Sequence, residues 1–586
     1  MHDRSGSRTL ERDAADDTHA PAPPPDAAAP PPGVAAGAAA HRRAAPVTRR
    51  SVLAGVAGSI ALAGCAELDG LVPGLTSPDE PTPPASGGAG GGGASAPPAP
   101  DGDAGGQAVE PVLADDAVLH LLRRATFGPT AALVEEVRDS GVDAWLDRQL
   151  APDDIDDSAC EQLLARYPTL GASAAEINQR EEADGGRFQA DRDLVQATVL
   201  RAVCSERQLF EVMVEFWANH FNIQTPSDDD WGRRTVADRE VYRAHALGRF
   251  ADLLLASAQD PAMLRYLNNE LSCATGDPST VQENYGRELL ELHTLGVGNY
   301  TEDDVKNSAY ILTGWRADDA RQFRFDPGCH YTGAVQVLDF THANETQEGG
   351  LEVGEAYLDH LAHHELTAQF VCRKLVRRFV ADEPDDDLVA TLAEVYLDND
   401  TEIVPVLRAL FTSDAFRSAI GRKTRRPLED VVATARALDM RVLESPRSEF
   451  PRTLLDVAYE LGQAPMNWAP PNGYPDVASV WLSSARLLGS WNYHWDLLEG
   501  RYDDWLSPAA DAVMQLADGG GETVGDVVDG IAERLLWQQL RDEDRAAVIE
   551  FTGRAAGDPA GEGDALTDVV KRAALAILNS PYHLQR

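Results

Sequence analysis

Apolar residues recur at spacings of three and four positions through most of the chain after about residue 190, which is the period of an amphipathic α-helix. The pattern predicts helices near residues 353–363, 366–380, 386–397, 402–411, 427–440, 451–462, 476–496 and 565–579. Strand-like alternation is confined to residues 323–340 and predicts one short hairpin. The sequence therefore predicts a mainly α fold, a large multi-helix body with at most a short β-hairpin, preceded by a disordered N-terminal region.

Residues that are typical of helix ends support the predicted helices. Residues 205–208 and 280–283 have the spacing of a capping box, in which a side chain at the N-cap and one three positions later satisfy each other's backbone N–H groups. Asp260 stands before a proline, as an N-cap does before an N1 proline. Thr301 predicts the start of the next helix, and Gly296 the C′ position of the helix before it.

The first 65 residues resemble an export signal sequence. Arg49 and Arg50 precede a 12-residue apolar run at residues 52–63, as in a twin-arginine signal, and residues 62–65 resemble a bacterial lipobox ending in Cys65. The run is too short to cross a bilayer as a helix, which needs about 20 residues. We therefore expect residues 1–64 to be a removed signal region and Cys65 to be lipidated, so that the protein is anchored at the outer face of the cytoplasmic membrane or in the cell envelope.

Composition then divides the rest of the chain. Residues 65–107 are rich in Pro, Gly, Ala and Ser and predict a disordered tether. The helical pattern predicts a main domain over residues 108–500 and a helical C-terminal extension packed on it over residues 501–586. With 95 acidic and 51 basic residues, the chain carries a formal charge of −44, which disfavours nucleic acid and anionic headgroups as partners and leaves the lipid anchor as the only expected membrane contact.

Five cysteines follow Cys65, so at least one thiol of a monomer is unpaired. Their wide spacing lacks a zinc-site pattern. Cys204 and Cys372 lie in amphipathic helical stretches and are interpreted as buried apolar residues. Cys273 and Cys329 lie in loop-like surroundings and form the predicted disulfide.

A polar stripe marks the helix predicted over residues 281–293. Arg287, Glu288 and Glu291 fall on one face, and His293 closes the helix. One interpretation is a solvated face with i,i+4 ion pairs. The other is a cleft in which an arginine holds a carboxylate as an acid, base or ligand. These four residues are the catalytic candidates.

Imidazoles and carboxylates could together bind a divalent metal as cofactor. The metal candidates are His220, Glu288, His293 and His330, although no spacing enforces a site. Residues 364–368 begin with His-Glu but lack the second histidine of a zincin, and the mature chain has no nucleophile elbow or phosphate-binding loop. Five aromatic residues between 468 and 495 form either an aromatic binding platform or core: Trp468, Tyr474, Trp481, Trp491 and Trp495.

Several separate motifs carry a family resemblance, at residues 120–128, 216–222, 283–297, 300–305, 312–315, 364–368, 374–380 and 470–474. In these the chain strongly resembles the bacterial domain-of-unknown-function family 1800 over about residues 115–500. The resemblance implies a large, mostly helical, usually exported protein whose activity has no settled description. Genes of that family often neighbour genes for a second exported family that looks like the phosphatase and sulfatase superfamily. One departure is Tyr331 after His330, where many members have aspartate.

Two functions fit these observations. The first is an exported, lipid-anchored helical protein that acts as a binding or scaffold partner in the cell envelope, with a phosphatase- or sulfatase-like exported protein as its partner. The alternative is a carboxylate- or metal-dependent extracytoplasmic hydrolase. The first is favoured because no complete catalytic signature occurs. A pocket that gathers Arg287, Glu288, His293 and a second histidine would favour the hydrolase.

Overall fold

The computed structural model describes residues 112–586 except 181–185, 187, 226–231, 275–280, 319, 441–449, 503–513 and 517–520. The predicted signal region, the tether and Thr280 lie outside the described residues. Within them helices dominate, so the prediction of a mainly α fold is confirmed. No helix of the described part combines the length and apolar character needed to cross a membrane.

The first half of the body is a series of helices of 5 to 17 residues. They are α1 (Ala117–Ala125), α2 (Ala131–Ser140), α3 (Val142–Gln149), α4 (Ser158–Leu164), α5 (Ala174–Asn178), α6 (Phe188–Cys204), α7 (Gln208–His220), α8 (Arg233–Ala237), α9 (Phe250–Gln259), α10 (Pro261–Tyr266), α11 (Asn284–Glu288) and α12 (Glu302–Ile311). Two π-helical segments continue α8 and α11, at Asp238–Arg243 and Leu289–Thr294. Short 3-10 turns lie at Pro152–Asp154, Asn269–Leu271 and Pro327–Cys329.

After the strands the chain returns to helices. They are α13 (Gly350–Ala362), α14 (Glu365–Phe379), α15 (Asp386–Asp398), α16 (Ile403–Thr412), α17 (Asp414–Arg417), α18 (Pro427–Ala437), α19 (Phe450–Glu460), α20 (Ala478–Trp481), α21 (Ser484–Leu498), α22 (Val524–Leu536), α23 (Asp542–Phe551), α24 (Asp564–Leu578) and α25 (Pro581–Leu584). The helix predicted over residues 476–496 is divided into α20 and α21 because Ser483 caps a new start, accepting from the N–H of Arg486.

The predicted hairpin over residues 323–340 is two hairpins instead. Strand β1 (Trp315–Ala317) pairs antiparallel with β2 (Phe323–Phe325), and β3 (Val335–Val337) with β4 (Phe340–His342). The chain leaves the first pair at Pro327, which has no N–H to donate and opens the 3-10 turn. Strand β2 therefore pairs with β1, which precedes the predicted range, and β3 pairs with β4, which begins at the last residue of that range.

Local capping signals decide several helix boundaries. Thr301 and Asp304 form a capping box at the start of α12, and Asp260 accepts from two N–H groups at the start of α10. Gly296 has a φ of +85° after the π segment, as predicted for C′. The capping box predicted at residues 205–208 is wrong, because the Ser205 hydroxyl donates to Asp157 and α7 begins without a side-chain cap.

One apolar cluster extends from Leu119 to Tyr582 and joins most of the described helices, and a second, smaller cluster packs α4 against α6. Helix α18 lies in its interior: its residues from Pro427 to Arg436 are all buried, including the charged ones. It packs against α6, α19, α21 and α22. A helix buried on every side must find partners for its charges inside the protein, which makes α18 important for the site described below.

The predicted disulfide is confirmed. Cys273 and Cys329 are bonded with a Cα–Cα distance of 4.4 Å. Cys160, Cys204 and Cys372 are free, and Cys372 is buried as predicted while Cys204 is half-buried. The bond joins the segment after α10 to the 3-10 turn after β2, and so closes a loop that contains α11 and α12.

Candidate functional site

The polar stripe of the helix predicted over residues 281–293 lies on the surface at Arg287. Its guanidinium donates to both carboxylate oxygens of Glu302, at 2.9 and 2.7 Å. The Arg287 side chain is 34% exposed and that of Glu302 is 68% exposed. Arg287 therefore forms a solvated ion pair with α12 instead of the i,i+4 pairs that its own helix offers.

The two carboxylates of the stripe are half-buried. Glu291 accepts a hydrogen bond from the Tyr300 hydroxyl. Burial and, secondly, the charge of Glu291 raise the pKa of Glu288. Neither residue belongs to a group of three converging metal ligands among the described residues.

His293 lies on the buried face of its helix, four positions after Leu289, which is also buried. It belongs to the π-helical segment Leu289–Thr294. Burial and the charge of Lys374 lower the pKa of His293 to about 3, so the ring is neutral. Its Nδ1 atom is enclosed and has no hydrogen-bond partner among the described residues. Such π segments are frequent at functional sites.

His220, at the end of α7, connects His293 with Lys374. The Lys374 ammonium donates to Nδ1 of His220 at 2.8 Å, and Nε2 of His220 donates to the His293 carbonyl oxygen at 3.1 Å. Burial, and secondly Arg377, lower the pKa of Lys374 to about 7. No carboxylate of the described residues lies within 4.0 Å of this ammonium.

Lys374 was missed as a candidate by the sequence analysis. The available signal was its place at the start of the motif at residues 374–380, in a chain that has only four lysines. Because both ring nitrogens of His220 are engaged, one of them with a cation, His220 is held as a neutral hydrogen-bonded ring and is poorly arranged to ligate a metal.

The end of α7 also binds the loop at residues 468–474, which lies much later in the sequence. Asn219 accepts from the N–H of Tyr474 at 2.7 Å and donates to its carbonyl oxygen at 3.0 Å. Asn222 donates to the carbonyl oxygens of Trp468 and Pro470, each at 2.8 Å. At Gly473, with φ of +71°, a Cβ atom would lie 2.2 Å from the backbone carbonyl oxygen of Asn219, so only glycine fits.

A buried ionic cluster lies next to this junction. Arg378 and Arg586 both contact Glu429 of α18, the latter at 3.0 Å. Arg426 joins Glu429 at 3.1 Å and Glu215 at 3.0 Å. Burial alone would raise the pKa of Glu429, but Arg426, Arg586 and Arg378 outweigh it and hold that pKa well below the ordinary value. The cluster joins α7, α14 and α18 through charge-assisted hydrogen bonds.

The metal candidates do not assemble into one site. His220 and His293 are neighbours, with ring centroids 6.2 Å apart. His330 lies elsewhere, with its ring nitrogens 3.0 Å from the Thr313 carbonyl oxygen and 2.9 Å from Oδ1 of Asn344. Among the described residues, the group of three potential ligands that converges is Asp430, His494 and His583, which the sequence analysis did not single out.

Two clefts lie near these elements. A narrow one of about 40 Å³ follows α7 and is lined by Asn219, Asn222 and Tyr474. A larger one of about 380 Å³ separates α19 from α21 and is lined by Tyr493 and Tyr502 among others. Ligand pockets usually span about 300–1,000 Å³, so only the second has that size. Neither cleft is lined by the catalytic candidates.

The aromatic residues of the sequence divide between core and surface. Tyr474 and Trp481 are buried, and their ring centroids lie 6.0 Å apart. The ring centroid of Trp468 lies 5.0 Å from that of Tyr474. Trp495, in contrast, is 42% exposed. Of the eight large apolar side chains exposed in the described part, five lie between residues 459 and 495: Tyr459, Val480, Leu482, Leu488 and Trp495.

Comparison with known proteins identifies a family. The family model described as a protein of unknown function (DUF1800) matches residues 120–584, which is most of the chain. No curated protein and no solved structure matches the chain. In the structure, the motifs at residues 216–222, 283–297, 374–380 and 470–474 meet around the end of α7.

Proposed function

The chain belongs to the DUF1800 family, and we propose that it is an exported, lipid-anchored protein that binds a second exported protein in the cell envelope. The proposed partner surface, called the α21 face here, consists of Leu488 and Trp495 of α21, together with Val480 of α20 and Leu482 after it, which are also exposed and lie just before α21 in the chain. The twin-arginine signal and the lipobox that ends at Cys65 support export and lipid anchoring, and the α21 face supports the binding role. The proposed partner is a phosphatase- or sulfatase-like protein of the family whose genes neighbour those of DUF1800.

The clustering of exposed apolar side chains carries this proposal. Leu488 and Trp495 stand seven positions apart on α21 and so lie on the same face of that helix. They are 54% and 42% exposed. Contiguous exposed apolar side chains often mark protein interaction sites, and tryptophan is enriched among the residues that dominate binding energy. The 380 Å³ cleft runs along the same helix.

Charge restricts the partner further. The net charge of −44 gives the surface a strongly negative field, which repels nucleic acid and other acidic surfaces. A partner that docks on the α21 face therefore needs an apolar contact area with basic residues around it.

The alternative of a carboxylate- or metal-dependent hydrolase receives less support. It needs Arg287, Glu288 and His293 in one cleft, whereas Arg287 is solvated beside Glu302 and His293 is enclosed. The larger cleft is lined by residues of α19 and α21 and contains none of these. A binding surface fits this dispersed arrangement better than an active site.

The test measures affinity between the purified mature chain and a purified exported protein of the neighbouring phosphatase-like family, by isothermal titration calorimetry. The wild-type chain should bind. Leu488→Ser with Trp495→Ser should weaken binding at least about tenfold, since truncating a hot-spot residue costs about 2 kcal/mol or more.

Phe188→Ser is the matched control, because Phe188 is 57% exposed but lies on α6. This variant should bind like the wild type. Equal losses in the control and in the α21 variant, or no binding by the wild-type chain, would contradict the proposal. Circular dichroism should show that both variants keep their helix content.

A further inference from the structure

Three potential metal ligands converge inside the body. Oδ1 of Asp430 lies 3.8 Å from Nε2 of His494 and 3.4 Å from Nε2 of His583. The three atoms all lie within 4.8 Å of one another, and the side chains are at most 3% exposed. Around a tetrahedral zinc ion with bonds of about 2.0–2.1 Å, neighbouring ligand atoms stand ~3.3 Å apart, which is close to these spacings.

The remaining polar atoms of the ligands are held by other side chains. Oδ2 of Asp430 accepts from Arg486 at 3.2 Å and from the Ser490 hydroxyl. Nδ1 of His494 lies 2.8 Å from Oδ1 of Asn579, whose Nδ2 donates to a backbone oxygen. Because an amide oxygen only accepts, Nδ1 carries the proton and Nε2 of neutral His494 keeps its lone pair. Partners of this kind orient the ligands in metal sites.

The converging atoms, in contrast, face one another and a single hydroxyl. Oδ1 of Asp430 is enclosed and lacks a hydrogen bond of good geometry from the described residues, and Nε2 of His583 lies 3.4 Å from it. The Thr434 hydroxyl stands 3.0 Å from Nε2 of both His494 and His583, and 2.9 Å from the Asp430 carbonyl oxygen. A hydroxyl has a single proton, so it donates to only one of these atoms, and the His583 tautomer with its lone pair on Nε2 leaves the three converging atoms short of donors. An enclosed carboxylate oxygen without a donor is unfavourable, and a bound cation would satisfy it.

We propose that Asp430, His494 and His583 bind one divalent transition-metal ion of the zinc type. Two imidazoles and a carboxylate are a donor set that zinc accepts. These three side chains leave the fourth position of a tetrahedral zinc without a ligand from the group. Because the site is closed to solvent, we assign the ion a role in holding helices together and no reaction. The ion connects α18, α21 and α25, three elements that are far apart in the sequence. The proposal is independent of partner binding, although α21 also carries the α21 face.

The experiment uses the mature chain purified without a histidine tag and without chelator. Elemental analysis should find about one zinc per chain, and Co²⁺ added to the chelated protein should give the visible absorption of a tetrahedral site. The chelator should lower the melting temperature. His583→Gln should reduce bound zinc at least about tenfold, a loss already seen when only the outer partners of a metal site are removed.

His363→Gln is the control, because His363 is 32% exposed and pairs with Asp400 at 2.8 Å; it should keep its zinc. His494→Gln serves as a second test if His583→Gln does not fold. The proposal is overturned if the wild-type chain takes up neither zinc nor Co²⁺, or if both ligand variants retain their metal. Equal loss of metal in the His363 control would overturn it as well.

Discussion

Lys374 donates a hydrogen bond of 2.8 Å to Nδ1 of His220, 154 residues earlier in the chain. His220 in turn donates to the backbone oxygen of His293. This chain of contacts joins three motifs of the family, and it leaves a poorly solvated ammonium beside two neutral imidazoles. The arrangement has a measurable effect on stability.

Stability should rise with pH above neutrality because of Lys374. Its pKa is about 7 in the folded chain and about 10.4 in the unfolded chain, so between these values the unfolded state binds more protons. The slope for one such group approaches about 1.4 kcal/mol per pH unit, and partial exposure will reduce it. Lys374→Met should flatten this slope and raise the free energy of unfolding at pH 7, measured by urea denaturation. Lys306→Met, at a 48% exposed side chain, should leave the slope unchanged.

The two arginine environments should differ in their contribution to stability. Arg287→Ala removes a solvated pair and should cost less than about 1 kcal/mol. Arg378→Ala leaves Glu429 buried with fewer counter-charges and should cost about 3–5 kcal/mol. Urea denaturation of both variants provides the comparison. A large cost at Arg287 would restore the interpretation of the central stripe as a buried cleft.

The disulfide should contribute to stability. Cys273→Ser should lower the free energy of unfolding by about 2–4 kcal/mol, because the bond restricts the unfolded chain. Mass spectrometry of an unreduced digest should find the Cys273 and Cys329 peptides linked, with Cys160 and Cys372 free. If reductant lowers the stability of Cys273→Ser as much as that of the wild type, a different bond is responsible.

The location of variant proteins in the cell tests the predicted export signal and lipidation site. Cys65→Ala should release the protein from the membrane fraction or leave it unprocessed, because no acceptor for the lipid is left. Replacing Arg49 and Arg50 by lysine should block export by the twin-arginine route. The same change at Arg42 and Arg43 is the control and should leave export unchanged. Membrane association of Cys65→Ala that still requires detergent would contradict the lipoprotein assignment.

The sequence by itself determined the features that depend on near neighbours. Helix periodicity, the N-caps at Asp260 and Thr301 and the left-handed Gly296 follow from contacts within a few residues, so local patterns predicted them. The pairing of Cys273 with Cys329 followed from the loop-like surroundings that these two cysteines share. The motifs also sufficed to place the chain in its family.

Only the tertiary structure decided which polar residues meet. Arg287 has carboxylates one turn away on its own helix, but Glu302 offers both oxygens in a bidentate geometry. Helical spacing places His293 on the same face as buried Leu289, but only the packing of α7 brings His220 against its backbone oxygen. His494 and His583 approach Asp430 because three helices pack around one another, and packing depends on the whole core. Unlike the disulfide, whose two cysteines share loop-like surroundings, these polar contacts between distant segments leave no signature in local spacing, so the sequence pattern did not predict them.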